Sequence, residues 1–285
     1  HNVAQLAAVL CGARATDDQI VLDDDRTVRT GAFPVSIDVA EMRALAARPD
    51  VVNRARQLRA DLGHRKKVLL SVDRLDYTKG IEHRLTAYSE LLRDRRVKVR
   101  DTVMVQVAVP SRERVESYGA LRDRIEREVG RINGEYGRVG EPAIHYLNQS
   151  FHRAELAALY RTADVMVVTP LRDGMNLVAK EFVAAREDAS GALVLSEFAG
   201  AAAELTDAFL VNPHDLDGLK NTLLRAMDAR PADLTARMTA MRAHLARHDI
   251  LAWARDYLTT LDESGRLVSW LPRQVSRRAP SPASR

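Results

Sequence analysis

Between residues 67 and 229 the chain alternates short apolar runs with longer amphipathic segments, and this alternation constrains the fold more than any other feature. The apolar runs are rich in Val and Leu, as expected for strands that a parallel sheet buries on both faces. Strands that alternate with helices predict an α/β fold with a doubly wound parallel sheet. The predicted strands are residues 67–72, 102–109, 143–148, 164–169, 191–196 and 208–212. The predicted helices are residues 81–93, 113–134, 153–162, 176–187, 200–205 and 215–229.

The segments on either side of this alternation are less regular. At the amino end the pattern predicts a helix over residues 1–13, a strand hairpin over 19–30, a strand and linker over 31–38, and a short helix that ends near Leu62. At the carboxyl end it predicts two helices, about 231–247 and 249–263. A tail over residues 269–285, rich in Ser, Pro and Arg, is expected to be disordered.

A polar, glycine-bearing turn begins at Pro170, directly after the predicted strand 164–169, and leads into the next helix. Ligands of open α/β sheets bind at such carboxyl ends of strands. Unpaired N–H groups at the start of the helix attract phosphate. The carboxylate of Asp173 repels phosphate but accepts hydrogen bonds from sugar hydroxyls, and Glu181 lies about one helical turn further on, within reach of a ribose. The turn therefore suits a sugar nucleotide.

A second loop follows the predicted strand 67–72 and opens the helix at Ile81. It carries Arg74 and Lys79, and a guanidinium fork with an ammonium group suits a diphosphate leaving group. Spacing alone leaves open that both are ordinary surface charges. Asp73 and Asp76 are three residues apart rather than two, which argues against a phosphatase with an aspartate nucleophile.

Composition narrows the class of protein. The chain has 285 residues, of which 46% are hydrophobic, and a net charge of +4. No apolar run reaches transmembrane length, and we expect no signal peptide and a cytoplasmic location. The lone Cys11 fits a reducing compartment and is expected to be a buried core residue.

Nucleic-acid binding is not expected, because aromatic residues make up only 5% of the chain and basic residues alternate with acidic ones over residues 121–128. The run Asp23-Asp24-Asp25 is interpreted as a charged hairpin turn rather than a metal site. Three scattered histidines, His145, His152 and His214, lack metal-ligand spacing, and no metal is expected.

The two loops and their surroundings resemble the trehalose-6-phosphate synthases, retaining glycosyltransferases of family 20 with the GT-B fold. The matching segments are SVDRLDYTKGIEHRL, VQVAVPSRERVESY, GRINGEYG, HYLNQSF, TPLRDGMNLVAKEFVAA and VLSEFAGAAAEL, with a weaker match over residues 27–38. The resemblance implies transfer of glucose from a nucleoside diphosphate glucose to glucose 6-phosphate, without a cofactor. It covers most of the chain and is more specific than any single motif.

Site roles follow from the resemblance, residue by residue. The catalytic set that it implies is Arg74, Lys79 and Asp173. The donor-binding set that it implies is Arg74, Lys79, Phe151, Asp173, Gly174, Met175, Asn176, Leu177, Val178, Ala179, Lys180 and Glu181. Phe151 would line the nucleobase pocket, although a core aromatic remains an alternative. Arg112 would bind the acceptor phosphate, with the alternative that it merely neighbours a helix cap at Ser111. Glu197 and Glu204 would shape the cleft, and Gly200 between them would supply close packing or a positive φ.

The resemblance also implies a domain organisation. GT-B enzymes have two Rossmann-like domains, and we expect this chain to be the carboxyl-terminal, donor-binding part, inactive by itself. Residues 1–45 would be a remnant of the acceptor domain and linker, 46–230 the nucleotide-sugar-binding domain, and 231–268 helices that cross toward the first domain, with Trp253 and Tyr257 at the junction.

Alternatives stay open at this point. The chain could be a fragment that binds a nucleotide sugar without transferring glucose, or a related synthase with another acceptor, of the glucosylglycerol-phosphate type. UDP, GDP and ADP donors are all compatible with the sequence. An exposed apolar surface is expected, and a homo-oligomer is left open.

Overall fold

The computed structural model describes residues 2–16, 19–22, 26–112 and 115–266. The strands are β1 (Arg14–Ala15), β2 (Gln19–Val21), β3 (Thr27–Arg29), β4 (Lys67–Arg74), β5 (Thr102–Val109), β6 (Ile144–Leu147), β7 (Val165–Val168), β8 (Ala192–Ser196) and β9 (Phe209–Val211). The helices are α1 (Asn2–Cys11), α2 (Val39–Ala47), α3 (Pro49–Leu62), α4 (Ile81–Arg93), α5 (Glu116–Tyr136), α6 (Arg153–Thr162), α7 (Leu177–Ala185), α8 (Leu216–Asp228), α9 (Pro231–Arg247) and α10 (Ile250–Arg266). Two 3₁₀ turns cover Tyr77–Lys79 and Gly200–Ala203.

Six strands form one parallel sheet in the order β6-β5-β4-β7-β8-β9. The chain leaves the central strand β4 toward β5 and β6, then crosses back to place β7 on the other side of β4. The strand order therefore reverses between β4 and β7, and open α/β sheets bind ligands at the carboxyl ends of the strands at such a point. The predicted α/β fold with a parallel sheet is confirmed.

Side chains that alternate along each strand build two hydrophobic cores, one on each face of the sheet. Leu69 packs with the buried faces of α4, α5 and α8. Its neighbours Val68 and Leu70 pack on the opposite face, with α2, α3, α6, α7 and α9. Because both faces are covered, the central strands are buried along nearly their whole length, as the apolar runs predict.

The chain forms two compact units, Pro34–Ala252 and a smaller one that combines the segments before Pro34 and after Ala252. The smaller unit contains α1 and a three-stranded antiparallel sheet, with a core of Ala4, Ala13 and Ile20. In the same unit Trp253 Nε1 donates to the Phe33 carbonyl (3.0 Å), and the Tyr257 ring lies 5.2 Å from the Phe33 ring. The division into functional domains at residues 45 and 230 stays a prediction.

Several predictions at the amino end are wrong. Residues 31–38 form no strand, and the helix that ends at Leu62 is two helices, since Pro49 forces Arg48 out of helical geometry (φ −58°, ψ 139°). Cys11 is exposed rather than buried, because the strands of the small sheet are only two or three residues long and cover little of α1.

Two sequence predictions cannot be compared with the structure. The turn at Asp23-Asp24-Asp25 and the tail over residues 269–285 lie outside the described residues. The strands that flank the turn, β2 and β3, do pair as the predicted hairpin. Within the ranges that the structure describes, no helix combines the length and the apolar character needed to cross a bilayer.

Candidate active site

The loops that follow β4 and β7 meet at the point where the strand order reverses. The Leu171 N–H donates to the Thr78 carbonyl (2.7 Å), which joins the two loops. Gly80 lies in the left-handed region (φ 64°), and a Cβ on it would be 2.1 Å from the Thr169 carbonyl oxygen. Only glycine allows the backbones to approach so closely here.

The loop after β7 is also tied to the loop after β8. The Asp173 N–H donates to the Phe198 carbonyl (3.2 Å), and the Gly200 N–H donates back to the Asp173 carbonyl (3.1 Å). A Cβ on Gly200 would be 2.1 Å from the Gly174 carbonyl oxygen. Of the two reasons given for a glycine at position 200, close packing is the one observed.

An ion pair connects the two predicted motifs. Lys79 Nζ lies 2.6 Å from Asp173 Oδ2, and Asn176 Nδ2 donates to the same oxygen (3.1 Å). The side chains of Lys79 and Asp173 are 12% and 16% exposed, so a ligand reaches a largely preformed pair. The site thus places a cation and a carboxylate side by side at the reversal of strand order.

The position of Lys79 is set by the 3₁₀ turn that it ends. Asp76 caps this turn, since its Oδ1 accepts hydrogen bonds from the N–H (2.9 Å) and the hydroxyl (2.8 Å) of Thr78. Burial by itself would raise the pKa of Asp76, but the hydrogen bonds from Thr78 and Tyr118 and the charge of Arg74 together outweigh it and lower that pKa. The ionised carboxylate that this favours is the form that caps the turn.

The start of α7 offers backbone N–H groups to the same crevice. Asn176 is the N-cap (φ 78°), and its Oδ1 accepts a hydrogen bond from the Ala179 N–H (3.0 Å). The N–H groups of Leu177 and Val178 come before the first intrahelical hydrogen bond and remain available to an anion. The space beside Gly174 is open, since a Cβ added there would meet no atom within 4 Å apart from its chain neighbours.

Lys180 does not present its side chain to this crevice. Its ammonium group is fully buried, 2.8 Å from Glu204 Oε1 and 3.1 Å from the Val35 carbonyl. Lys180 therefore fixes α7 to the neighbouring segments, and the Ala179 amide is already used by the cap. Glu204 is thus held in a buried ion pair with Lys180, and its role in shaping the cleft stays a prediction.

Glu181 and Phe151 lie on the α6–α7 side of the sheet. The Tyr160 hydroxyl donates to Glu181 Oε2 (2.9 Å). Burial raises the pKa of Glu181, although the hydrogen bond from Tyr160 and the charge of Arg153 oppose the rise. Phe151 is half-buried and packs against the core of this face.

The two other predicted cations are exposed. Arg74 ends β4, and in the part of the chain that the structure covers its guanidinium forms no ion pair. Arg112 has a left-handed backbone (φ 50°), and its Nη1 donates to the Tyr118 hydroxyl (2.9 Å), which donates in turn to Asp76 Oδ2 (3.4 Å). Helix α5 begins only at Glu116, so Ser111 does not cap it.

Comparison with known proteins assigns the chain to a family. A family model described as glycosyltransferase family 20 matches residues 2–263. The chain belongs to glycosyltransferase family 20. The resemblance drawn from the sequence motifs is thereby confirmed.

Individual relatives agree with this assignment. The chain is 58% identical over 240 residues to a trehalose-6-phosphate synthase from Mycolicibacterium smegmatis (84% of this chain, 48% of the relative). It is 56% identical over 254 residues to one from Mycobacterium avium (89% and 51%). The family 20 chain thus spans about half the length of these relatives.

Solved structures show the same fold. An alpha,alpha-trehalose-phosphate synthase (UDP-forming) from Burkholderia xenovorans, in complex with glucose-6-phosphate, superposes with a TM-score of 0.85 at 37% identity (91% of this chain, 58% of that one). A protein from E. coli bound with UDP-2-fluoro glucose gives 0.84 at 39% identity (90% and 57%).

One buried ion pair of this family 20 chain was not foreseen from its sequence. Arg84 of α4 donates through Nη2 to Asp73 Oδ2 (2.5 Å) and to the Lys79 carbonyl (3.0 Å), and through Nη1 to the Val167 carbonyl (3.1 Å). Burial lowers the pKa of Arg84 and raises that of Asp73, and each charge opposes the shift of the other. Spacing could have revealed it, since Arg84 shares a helix face with Ile81, Leu85 and Tyr88.

No group of three or more His, Cys, Asp or Glu side chains in the described ranges is arranged to hold a metal ion. His83 and His214 do lie together, with ring centroids 5.7 Å apart, beside Phe198. They form a pair without a third ligand among these residues.

Proposed function

We propose that this chain provides the donor site for glucosyl transfer from a nucleoside diphosphate glucose to glucose 6-phosphate, which forms trehalose 6-phosphate with retention of the anomeric configuration. The observation that carries the proposal is the Lys79–Asp173 pair at the reversal of strand order, next to the open amino end of α7. The names of the relatives and the ligands of two solved neighbours support it.

The diphosphate of the donor is assigned to Arg74, Lys79 and the amides of Leu177 and Val178. The Lys79 ammonium has three N–H donors, so it can keep Asp173 and still bind phosphate oxygens. Asp173, with the Gly174 backbone, accepts hydrogen bonds from the glucose hydroxyls. Cationic side chains and helix-end amides supply the counter-charge, and no divalent cation is needed for it.

The nucleoside is assigned to the α6–α7 side of the site. Glu181 binds the ribose hydroxyls, with its carboxylate oriented by Tyr160. Phe151 lines the nucleobase pocket. We take UDP-glucose as the donor, because the E. coli neighbour was solved with a UDP sugar, and competition by GDP-glucose and ADP-glucose tests this choice.

The reaction breaks the bond between glucose C1 and the diphosphate oxygen and forms a bond between C1 and the acceptor hydroxyl on the same face. The acceptor proton passes to the departing phosphate oxygen. This route needs no carboxylate nucleophile behind the sugar, in contrast to retaining hydrolases. The protein stabilises the negative charge that develops on the diphosphate and holds the two reactants together on one face of the sugar, with Arg112 on the acceptor phosphate.

The first test replaces Lys79 by alanine. Loss of one preorganised group at a developing charge commonly costs about 2.7–4 kcal/mol, so Lys79→Ala is expected to reduce turnover at least about tenfold wherever transfer is measured. Calorimetry should also show that the variant chain binds UDP-glucose more weakly than the wild type. The matched control is Lys67→Ala, at the opposite end of β4, which should bind like the wild type. Wild-type behaviour of Lys79→Ala would remove Lys79 from the proposed mechanism.

A second candidate function is binding of the nucleotide sugar without transfer. It is favoured by one observation, that the chain spans only about half the length of its curated relatives. Binding of UDP-glucose by calorimetry, without product from UDP-glucose and glucose 6-phosphate, would select this alternative. Product from glycerol 3-phosphate instead would select a synthase of the glucosylglycerol-phosphate type.

A further inference from the structure

A separate cavity of about 400 Å³ lies near the amino end of β7. It is lined by residues of α3, by the end of α6 and by Arg186, which follows α7. The five residue steps from Asp164 to Thr169 put it about 16 Å from the active-site loops, at the opposite edge of the sheet. Four of its lining residues are arginines, Arg56, Arg59, Arg161 and Arg186, and Asp164 is the acidic one.

Two of these arginines are bound by groups of the chain itself. Arg59 Nη1 donates to Asp164 Oδ2 (2.7 Å) and to the Thr162 carbonyl (3.3 Å). Arg186 Nη1 donates to the carbonyls of Arg161 (2.8 Å) and Ala163 (2.7 Å), and its Nε donates to Asp188 (3.1 Å). Arg59 and Arg186 hold the end of α6, and their charges are compensated by the two aspartates.

The charges of the other two arginines are less fully compensated, since Asp188, a carboxylate on which the charge of Arg161 acts, already pairs with Arg186. Across the described residues neither Arg56 nor Arg161 has an ion pair, and Arg56 Nη1 donates only to the neutral Asn53 side chain (2.9 Å). Arg161 is half-buried beside Arg186. Burial lowers the pKa of Arg186, the charges of Asp188 and Asp164 oppose this shift, and the positive charge of Arg161 adds to it. Positive charge in a concave site attracts anions, and a bound anion would relieve this repulsion.

We propose that this cavity binds a small phosphate-bearing anion between Arg56 and Arg161. Guanidinium groups match phosphate oxygens in a bidentate geometry. The cavity volume lies at the lower end of the usual range for small-molecule sites, about 300–1,000 Å³, which fits a ligand with one or two phosphate groups and a small organic part. The apolar floor, formed by Val52, Ala55 and Ala163, gives that organic part a contact surface.

The test is calorimetric titration of the full chain with inorganic pyrophosphate. The proposed donor site also attracts diphosphate, so the titration uses the Lys79→Ala variant as parent. That parent is expected to retain a pyrophosphate site, and adding Arg56→Gln with Arg161→Gln should weaken it at least tenfold. The control adds Arg127→Gln with Arg247→Gln, which removes the same charge from exposed positions elsewhere and should leave the affinity unchanged.

Thermal melting shows whether the variants fold. Arg56 is exposed, Arg161 is half-buried and neither forms an ion pair within the described residues, so both substitutions are expected to leave the fold intact. Two results would overturn the proposal: no pyrophosphate binding to the Lys79→Ala parent, or equal affinity of the parent and the cavity variant. Either result leaves the proposed function untouched, because that function is tested by UDP-glucose binding with and without the Lys79 side chain.

Discussion

Gly80 shows how a single residue without a side chain holds the site together. Its left-handed backbone and the 2.1 Å between a Cβ and the Thr169 carbonyl oxygen exclude every other residue. Gly80→Ala is expected to lower the free energy of unfolding by about 2–3 kcal/mol, from backbone strain and displacement of the adjacent loop. Urea denaturation of the wild type and the variant measures this difference in unfolding free energy.

The control for this change is a glycine without either constraint. Gly119 lies in α5 with no atom within 4 Å of an added Cβ. Because alanine is the better helix former, Gly119→Ala should raise the free energy of unfolding by about 0.5–1 kcal/mol. Equal effects of the two substitutions would show that the close approach at Gly80 has no energetic weight.

The buried carboxylate of Glu181 is expected to lower the stability of the fold when it is ionised, although the same carboxylate is proposed to bind the ribose. Its pKa is raised in the folded state, chiefly by burial, so its stability contribution is present below the unfolded pKa and is lost as the pH rises through the folded pKa. Glu181→Gln should therefore be more stable than the wild type at pH 7, with the difference vanishing well below the ordinary carboxyl pKa of about 4.3.

The same substitution should weaken UDP-glucose binding. Hydrogen bonds to charged groups contribute about 1.5–3 kcal/mol, so loss of the carboxylate is expected to cost about tenfold or more in affinity. Denaturation at several pH values and calorimetry measure the two effects separately. A variant that is less stable than the wild type at neutral pH would contradict the destabilising effect of burying this carboxylate. A variant that binds UDP-glucose as the wild type does would contradict its role in binding the ribose.

At the scale of elements, the Asp73–Arg84 pair joins β4, α4, β7 and the turn that carries Lys79. Removing one partner of a buried pair leaves the other charge uncompensated, and Arg84→Met is expected to cost about 3–5 kcal/mol of unfolding free energy. Adding Asp73→Asn should restore part of this loss. A double-mutant cycle by urea denaturation measures the coupling, and additive losses would show that the pair does not act as a unit.

The elements themselves follow closely from the sequence. Helices 81–93 and 153–162 and strand 102–109 have the predicted bounds, because each combines a clear period with strong burial on one or both faces. The ion pairs between elements cannot be predicted from the local sequence pattern, because partners such as Lys79 and Asp173 are 94 residues apart in the chain. The strand predicted within residues 31–38 is not formed either: Ile37 is buried in the core of the larger unit and Phe33 contacts Tyr257, and such contacts with distant segments are not visible in the local pattern.

For the whole molecule, topology decides which parts of the sequence meet. The crossing from β6 to β7 brings the loop after β4 beside the loop after β7, and the two sequence motifs become one site only through that strand order. The sequence motifs identify the chemistry, whereas the contact between Lys79 and Asp173 requires the sheet. The opposite edge of the same sheet carries the arginine cavity.

The surface of α1 also has a consequence for the whole chain. Val3, Leu6, Val9 and Leu10 are between 56% and 80% exposed, a density of apolar side chains that promotes association. The chain is expected to self-associate with rising concentration, and Val9→Glu should raise the dissociation constant at least about fivefold by placing a charge in that surface. Sedimentation velocity measures this. The matched control is Val139→Glu, at an isolated and fully exposed valine. Equal effects of the two substitutions would exclude α1 as the surface of association, and so would a wild-type chain that stays monomeric at every concentration.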